Sequence, residues 1–159
     1  MGLRTTAGRS RGPLGLRTTG GLKVPGYVSL AIALVFAVGL RAQQVTVKDG
    51  VYSAPQAKRA AELWTKACAG CHTLGDLSTA AADKGPPLSG AAFLEKWNGK
   101  TVFTLADGIQ KTMPNDFSME VSAQQATDLT ALILQVNGFP AGAKELAPGD
   151  GQKQITIVK

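Results

Sequence analysis

The sequence predicts an all-α domain of three to five short helices. Three observations predict it. Apolar residues recur at helical spacing in four stretches, the last with Leu129, Leu132, Ile133 and Val136 at i, i+3, i+4, i+7. Ser or Thr caps open three of these stretches, and Asn-Gly or Pro closes three. One cluster, Cys68-Ala69-Gly70-Cys71-His72, ends the first stretch and holds both cysteines and the only histidine.

That spacing, C-x-x-C-H, is a c-type haem attachment signature. Two thiols about one helical turn apart can add to the two vinyl groups of a haem. The next residue then lies under the ring, where its imidazole can bind iron. The expected cofactor is therefore one haem c, covalent through Cys68 and Cys71. Three other uses of the cluster stay open. A closed zinc site needs about four ligands, and only three Cys and His side chains exist. A thioredoxin-type dithiol expects a strand before the motif, where this chain has a helical pattern. A lone disulfide across two residues would be strained.

Taking the chain in order, residues 1–42 read as a disordered basic n-region plus a signal peptide. Six of the 17 basic residues precede residue 43, and the first acidic residue is Asp49. Residues 43–159 thus carry 11 basic and 11 acidic side chains. The high isoelectric point belongs to the leader and gives no reason to expect nucleic acid. Val28 to Leu40 is an apolar run of signal-peptide length, short for a bilayer span, with Ala42 a plausible residue before cleavage. The alternative is an uncleaved anchor, the only route to membrane attachment. Either way the domain is expected outside the cytoplasm, in the periplasm. Gly2-Leu3-Arg4-Thr5-Thr6 recurs as Gly15-Leu16-Arg17-Thr18-Thr19, without apolar periodicity to build a core.

Residues 43–52 form a lead-in arm with a brief alternation at Val45 and Val47. The main domain is expected over 53–140. Ser53 offers an N-cap and Pro55 suits a first turn. Ala57, Ala60, Ala61, Leu63, Trp64 and Ala67 give the helix that delivers Cys68. Residues 73–92 are loop-like, because Pro86 and Pro87 in Lys84-Gly85-Pro86-Pro87-Leu88-Ser89-Gly90 lack the N–H a helix needs. The proline pair can present a carbonyl at a fixed place, or simply make a rigid surface turn. Ala91 to Trp97 predicts a short helix stopped near Asn98-Gly99. Thr101 caps another, with Val102, Leu105 and Ile109 apolar. Ser122 opens the last helix with Gln125 as a capping-box partner. Asn137-Gly138 stops it, and Pro140 prevents its continuation. Residues 141–159 form a tail closing on Ile155 and Ile157, a short strand or a segment laid over the body.

The third helix leads into Thr112-Met113-Pro114. A thioether is a soft neutral donor suited to haem iron. With one histidine in the chain, a second axial ligand must be another residue type or be missing. Met113 is preferred over Met119, and ligation by neither methionine stays open as the alternative.

In this order the parts resemble class I cytochromes c, the small single-haem bacterial periplasmic type, over about residues 51–140. The resemblance rests on the helix into CAGCH, the GPPLSG loop, the helix into TMP and the final helix ending NG. It implies a small cytochrome c fold around one covalently bound haem. It implies that Cys68 and Cys71 hold the haem and His72 is the proximal iron ligand. Pro86 would accept a hydrogen bond from the imidazole N–H, Leu88 would pack on the haem, and Met113 would be the distal ligand. Trp64 matches the family aromatic where the first and last helices cross, but Leu132 stands where an aromatic is frequent. A lysine ring is not evident, since Lys84, Lys96, Lys100 and Lys111 are interleaved with Asp83, Glu95 and Asp107. Trp64, Leu88, Trp97 and the last helix are expected to bury the haem.

The implied function is outer-sphere transfer of single electrons through a His/Met haem, with no catalytic residue. A haem subunit of a periplasmic dehydrogenase complex and a five-coordinate ligand-binding haem are the alternatives. Expected partners are a redox donor and a redox acceptor, such as a periplasmic dehydrogenase or a terminal oxidase.

Overall fold

A computed structural model describes residues 44–77 and 84–159. The expectations for the leader, including the apolar run, the repeat and cleavage after Ala42, lie outside the described residues, as does Asp83. Among the described residues no helix is long and apolar enough to cross a membrane.

Among the described residues four α-helices form, within the predicted three to five: α1 (Ala54–Ala67), α2 (Gly90–Trp97), α3 (Val102–Thr112) and α4 (Ala123–Val136). Their starts follow the caps. Ser53 accepts from the Gln56 N–H ahead of α1, and Thr101 from Thr104 ahead of α3. Ser122 and Gln125 exchange both capping-box bonds ahead of α4. Gly138, at φ 79°, provides the left-handed turn beyond α4.

The apolar faces pack α1 on α4 and α3 on α4. Ala57 and Ala60 on α1 are small enough to bring α4 close, and Trp64 fills the wider part of the same core. Leu129, Leu132 and Ile133 of α4 are at most 3 % exposed, so the aliphatic Leu132 fills its place in the helix crossing. Truncating Trp64 or Leu132 to Ala is expected to cost about 2–5 kcal/mol each, through lost burial and the cavity left behind.

A small parallel strand pair lies beside the helices. β1 (Val45–Thr46) pairs with β2 (Ile155–Thr156), Val45 opposite Ile155 and Thr46 opposite Thr156. The first two residues of each alternation thus become strand, while Val47 opens a short 3-10 turn and Ile157 follows β2. Ile157 is fully buried, and its N–H and C=O bond to Lys100 O and Gly99 N–H, both at 2.8 Å. Polar side chains fix the rest of the tail. Gln56 exchanges two bonds with the Leu146 backbone at 2.8 Å each. Gln152 is 2 % exposed and donates to Thr127 Oγ1 at 3.0 Å and Ala147 O at 2.9 Å. Tyr52 Oη donates to Phe139 O at 2.6 Å and closes the arm over the end of α4.

Candidate functional site

Helix α1 ends at Cys68, whose N–H bonds to Trp64 O. The winding continues through the motif: the N–H groups of Cys71 and His72 both donate to Cys68 O, at 3.0 and 2.9 Å. The two thiols and the imidazole therefore lie on one tight turn. Trp64, buried beneath, donates its indole N–H to Leu77 O at 3.1 Å and anchors the following loop.

The His72 Nδ1–H donates to Pro86 O at 2.9 Å. A carbonyl only accepts, so Nδ1 carries a proton; in the neutral ring that puts the lone pair on Nε2, the tautomer a metal ligand requires. The loop that presents Pro86 is stapled in place. Leu88 N–H donates to Thr73 O at 2.9 Å, and Gly75 N–H donates to Ser89 Oγ at 2.9 Å. Gly85 lies against the imidazole: a Cβ there would stand 2.9 Å from His72 Nδ1, His72 Cε1 and Cys71 O.

Met113 caps the C-terminal end of α3, with its N–H on Ile109 O, and is half-buried. It and the Cys68–His72 turn line one cleft of about 300 Å³. Leu88, Ile109, Leu129 and Ile133 supply apolar wall, and Lys66, Lys84 and Asp116 reach the rim. Met119 does not line this cleft. The donor set fits a haem: thiols for covalent attachment, an imidazole, a thioether and an apolar surround for the macrocycle. It fits zinc poorly, since among the described residues no three His, Cys, Asp or Glu side chains converge. Burial, then the neighbouring Cys71 thiol, pushes Cys68 up to about 11. A dithiol redox centre uses the opposite shift.

The structure thus gathers Cys68, Cys71, His72, Pro86, Leu88 and Met113 around one cleft. Trp97 differs from expectation. It does not line the cleft but lies 6.1 Å from Phe93, ring to ring, with Lys100 Nζ 5.0 Å above it. It ends α2 just before Gly99 and Lys100 turn to bond the tail, and that turn carries it away. Lys111 pairs with Asp107 at 2.8 Å.

Two contributors were not singled out from the sequence. Gly85 could have been suspected from its place before a proline pair. Asn137, noted only as a helix stop, donates to Leu88 O at 2.9 Å and accepts from Gly90 N–H at 3.0 Å. No local pattern signals a bond across 49 residues.

Four short helices with an apolar cleft at the end of the first, lined by C-x-x-C-H and a methionine, define a small cytochrome c fold. The family model described as "Cytochrome C oxidase, cbb3-type, subunit III" matches residues 55–133, which span α1 to most of α4. No curated protein and no solved structure matches the chain. Over these residues the chain is similar to class I cytochromes c of the single-haem type. That likeness supports a haem-binding electron-transfer protein, of a class that is typically extracytoplasmic.

Proposed function

We propose that this protein carries single electrons in the periplasm through one haem c held by Cys68 and Cys71, with His72 and Met113 as axial ligands. The observation that carries the reading is the His72 Nδ1–H bond to Pro86 O beside a cleft that Met113 also lines. When bound, the haem supplies a one-electron ferric/ferrous couple, and a thioether ligand raises its potential. The residues around it do the rest. Pro86 fixes the imidazole and increases its basicity. Leu88, Ile109, Leu129, Ile133 and Trp64 exclude water and favour the less charged ferrous state. No proton transfer is needed, and the only histidine is engaged as a ligand.

The partners are a redox donor and an acceptor, such as a periplasmic dehydrogenase or a terminal oxidase. The matched family's description concerns an oxidase subunit. Residues 43–159 balance 11 basic against 11 acidic side chains, which gives little long-range steering and favours a resident subunit of such a complex. Native purification checks this: co-migration with a larger redox enzyme supports residence, and a freely exchanging carrier contradicts it. For the haem, the purified protein is expected to show a Soret band and pigment that resists acid–acetone extraction. Extractable pigment would overturn the covalent assignment.

A further inference from the structure

Every bond described so far that holds Pro86 on His72 is local. His72 to Pro86, Leu88 to Thr73 and Gly75 to Ser89 join residues 72–75 to residues 86–89 and nothing else. These bonds form a two-sided ladder. The 72–75 side of this ladder is held to the helix core by the fully buried Leu74 and, through Leu77 O, by the Trp64 indole. Among the described residues one side chain hydrogen-bonds the 86–89 side to that core. The Asn137 Nδ2–H₂ donates to Leu88 O at 2.9 Å and to Ile133 O at 2.8 Å, while Oδ1 accepts from Gly90 N–H at 3.0 Å. The amide orientation is fixed by chemistry, since two partners only accept and the third only donates. Ile133 belongs to α4, which packs on the helix that delivers Cys68. Leu88, the residue gripped, lies two positions after Pro86 and lines the cleft.

We propose that Asn137 is a positioning residue for the proximal side of the haem: it references the Pro86 loop to α4 and thereby holds the carbonyl on the His72 ring. This rests on the His72 ligand reading above. Asn137 is half-buried and touches neither the imidazole nor Met113 through any bond described, so its effect passes through Leu88 and Gly90. The donated bond is the critical one. A carboxylate at 137 would keep an acceptor for Gly90 N–H but set an oxygen against Leu88 O.

The test follows the His72 Nδ1 proton by NMR in the ferrous holoprotein and compares its exchange with solvent to that of the slowest α1 and α4 amides. Those amides report global opening, so their ratio isolates the local bond. N137A and the isosteric N137D are both expected to raise the ratio about tenfold or more, the factor expected for losing one hydrogen bond. A ratio that stays within about threefold of wild type in either variant would overturn the assignment, because neither can donate to Leu88 O. Wild-type protein without a Soret band would overturn this assignment and the haem reading together. A wild-type haem with an unchanged ratio would overturn this one alone.

Discussion

Arg59 grips Asp128 with two nitrogens, Nε to Oδ2 at 2.7 Å and Nη2 to Oδ1 at 2.9 Å. The same guanidinium reaches both oxygens of Glu145, at 2.6 and 2.8 Å. Asp128 also accepts from Gln56 and Gln124. One carboxylate therefore joins α1, α4 and, through Arg59, the tail. Burial pushes the Asp128 carboxyl up, but the hydrogen bonds from Arg59, Gln56 and Gln124 outweigh it and leave it below the ordinary value. Glu145 is lowered as well, chiefly by its bond from Arg59.

These shifts set an acid limit. The folded value of Asp128 lies below the unfolded one, so its contribution is complete above about pH 4 and is lost as pH falls through the folded value. Denaturant midpoints are expected to hold steady from about pH 7 to 5 and to drop below about 4. Asp128→Asn is expected to cost about 1–3 kcal/mol at neutral pH, since the amide keeps one acceptor oxygen but removes the charge and sets an NH2 against Arg59 Nε. Its midpoint should fall less steeply in acid. An acid profile as steep as wild type would place the sensitivity elsewhere.

The tail should behave as part of the body. Ile157 is fully buried and its backbone pairs with Gly99 and Lys100. Ile157→Ala is expected to cost about 2–5 kcal/mol. Removing residues 155–159 also strips β1 of its partner and should cost more. Thermal melts check both, and a truncated protein as stable as the full chain would contradict the packing.

Gly85 and Gly70 make a matched pair around the haem motif. A Cβ at Gly85 meets the His72 ring at 2.9 Å, whereas one at Gly70 meets nothing within 4 Å. Gly85→Ala is expected to displace the imidazole or the loop at a cost of about 1–3 kcal/mol. Gly70→Ala should be near neutral. Their visible spectra and melting temperatures distinguish them, and equal effects would deny the close approach at Gly85.

Phe117 sits at φ 53° and is 80 % exposed. A bulky side chain in the left-handed region is strained, and this one recovers little by burial. Phe117→Asn should relieve about 1 kcal/mol, because Asn tolerates that region. An unchanged or lower denaturant midpoint would contradict the strain.

The parts legible in the sequence are those governed by local chemistry. Ser53, Thr101 and Ser122 mark helix starts because each side chain bonds the backbone N–H three residues on. The turn Cys68–His72 is legible because its spacing serves one chemistry. The pairing of Val45 with Ile155 is not, since neither two-residue strand specifies a distant partner. Trp97 shows a limit of periodicity: an apolar face on α2 does not say which neighbour will receive it. Asn137 shows another, because a residue suited to ending a helix carries no sign of the loop it will also hold.

The most direct measurement is the ferric spectrum and reduction potential of wild type against Met113→Ala. Wild type is expected to show the weak far-red charge-transfer band of a thioether-ligated ferric haem. Met113→Ala should lose that band and show a lower potential, with pigment still bound through Cys68 and Cys71. A wild type without the band, or a variant whose band and potential are unchanged, would contradict a His72/Met113 electron carrier.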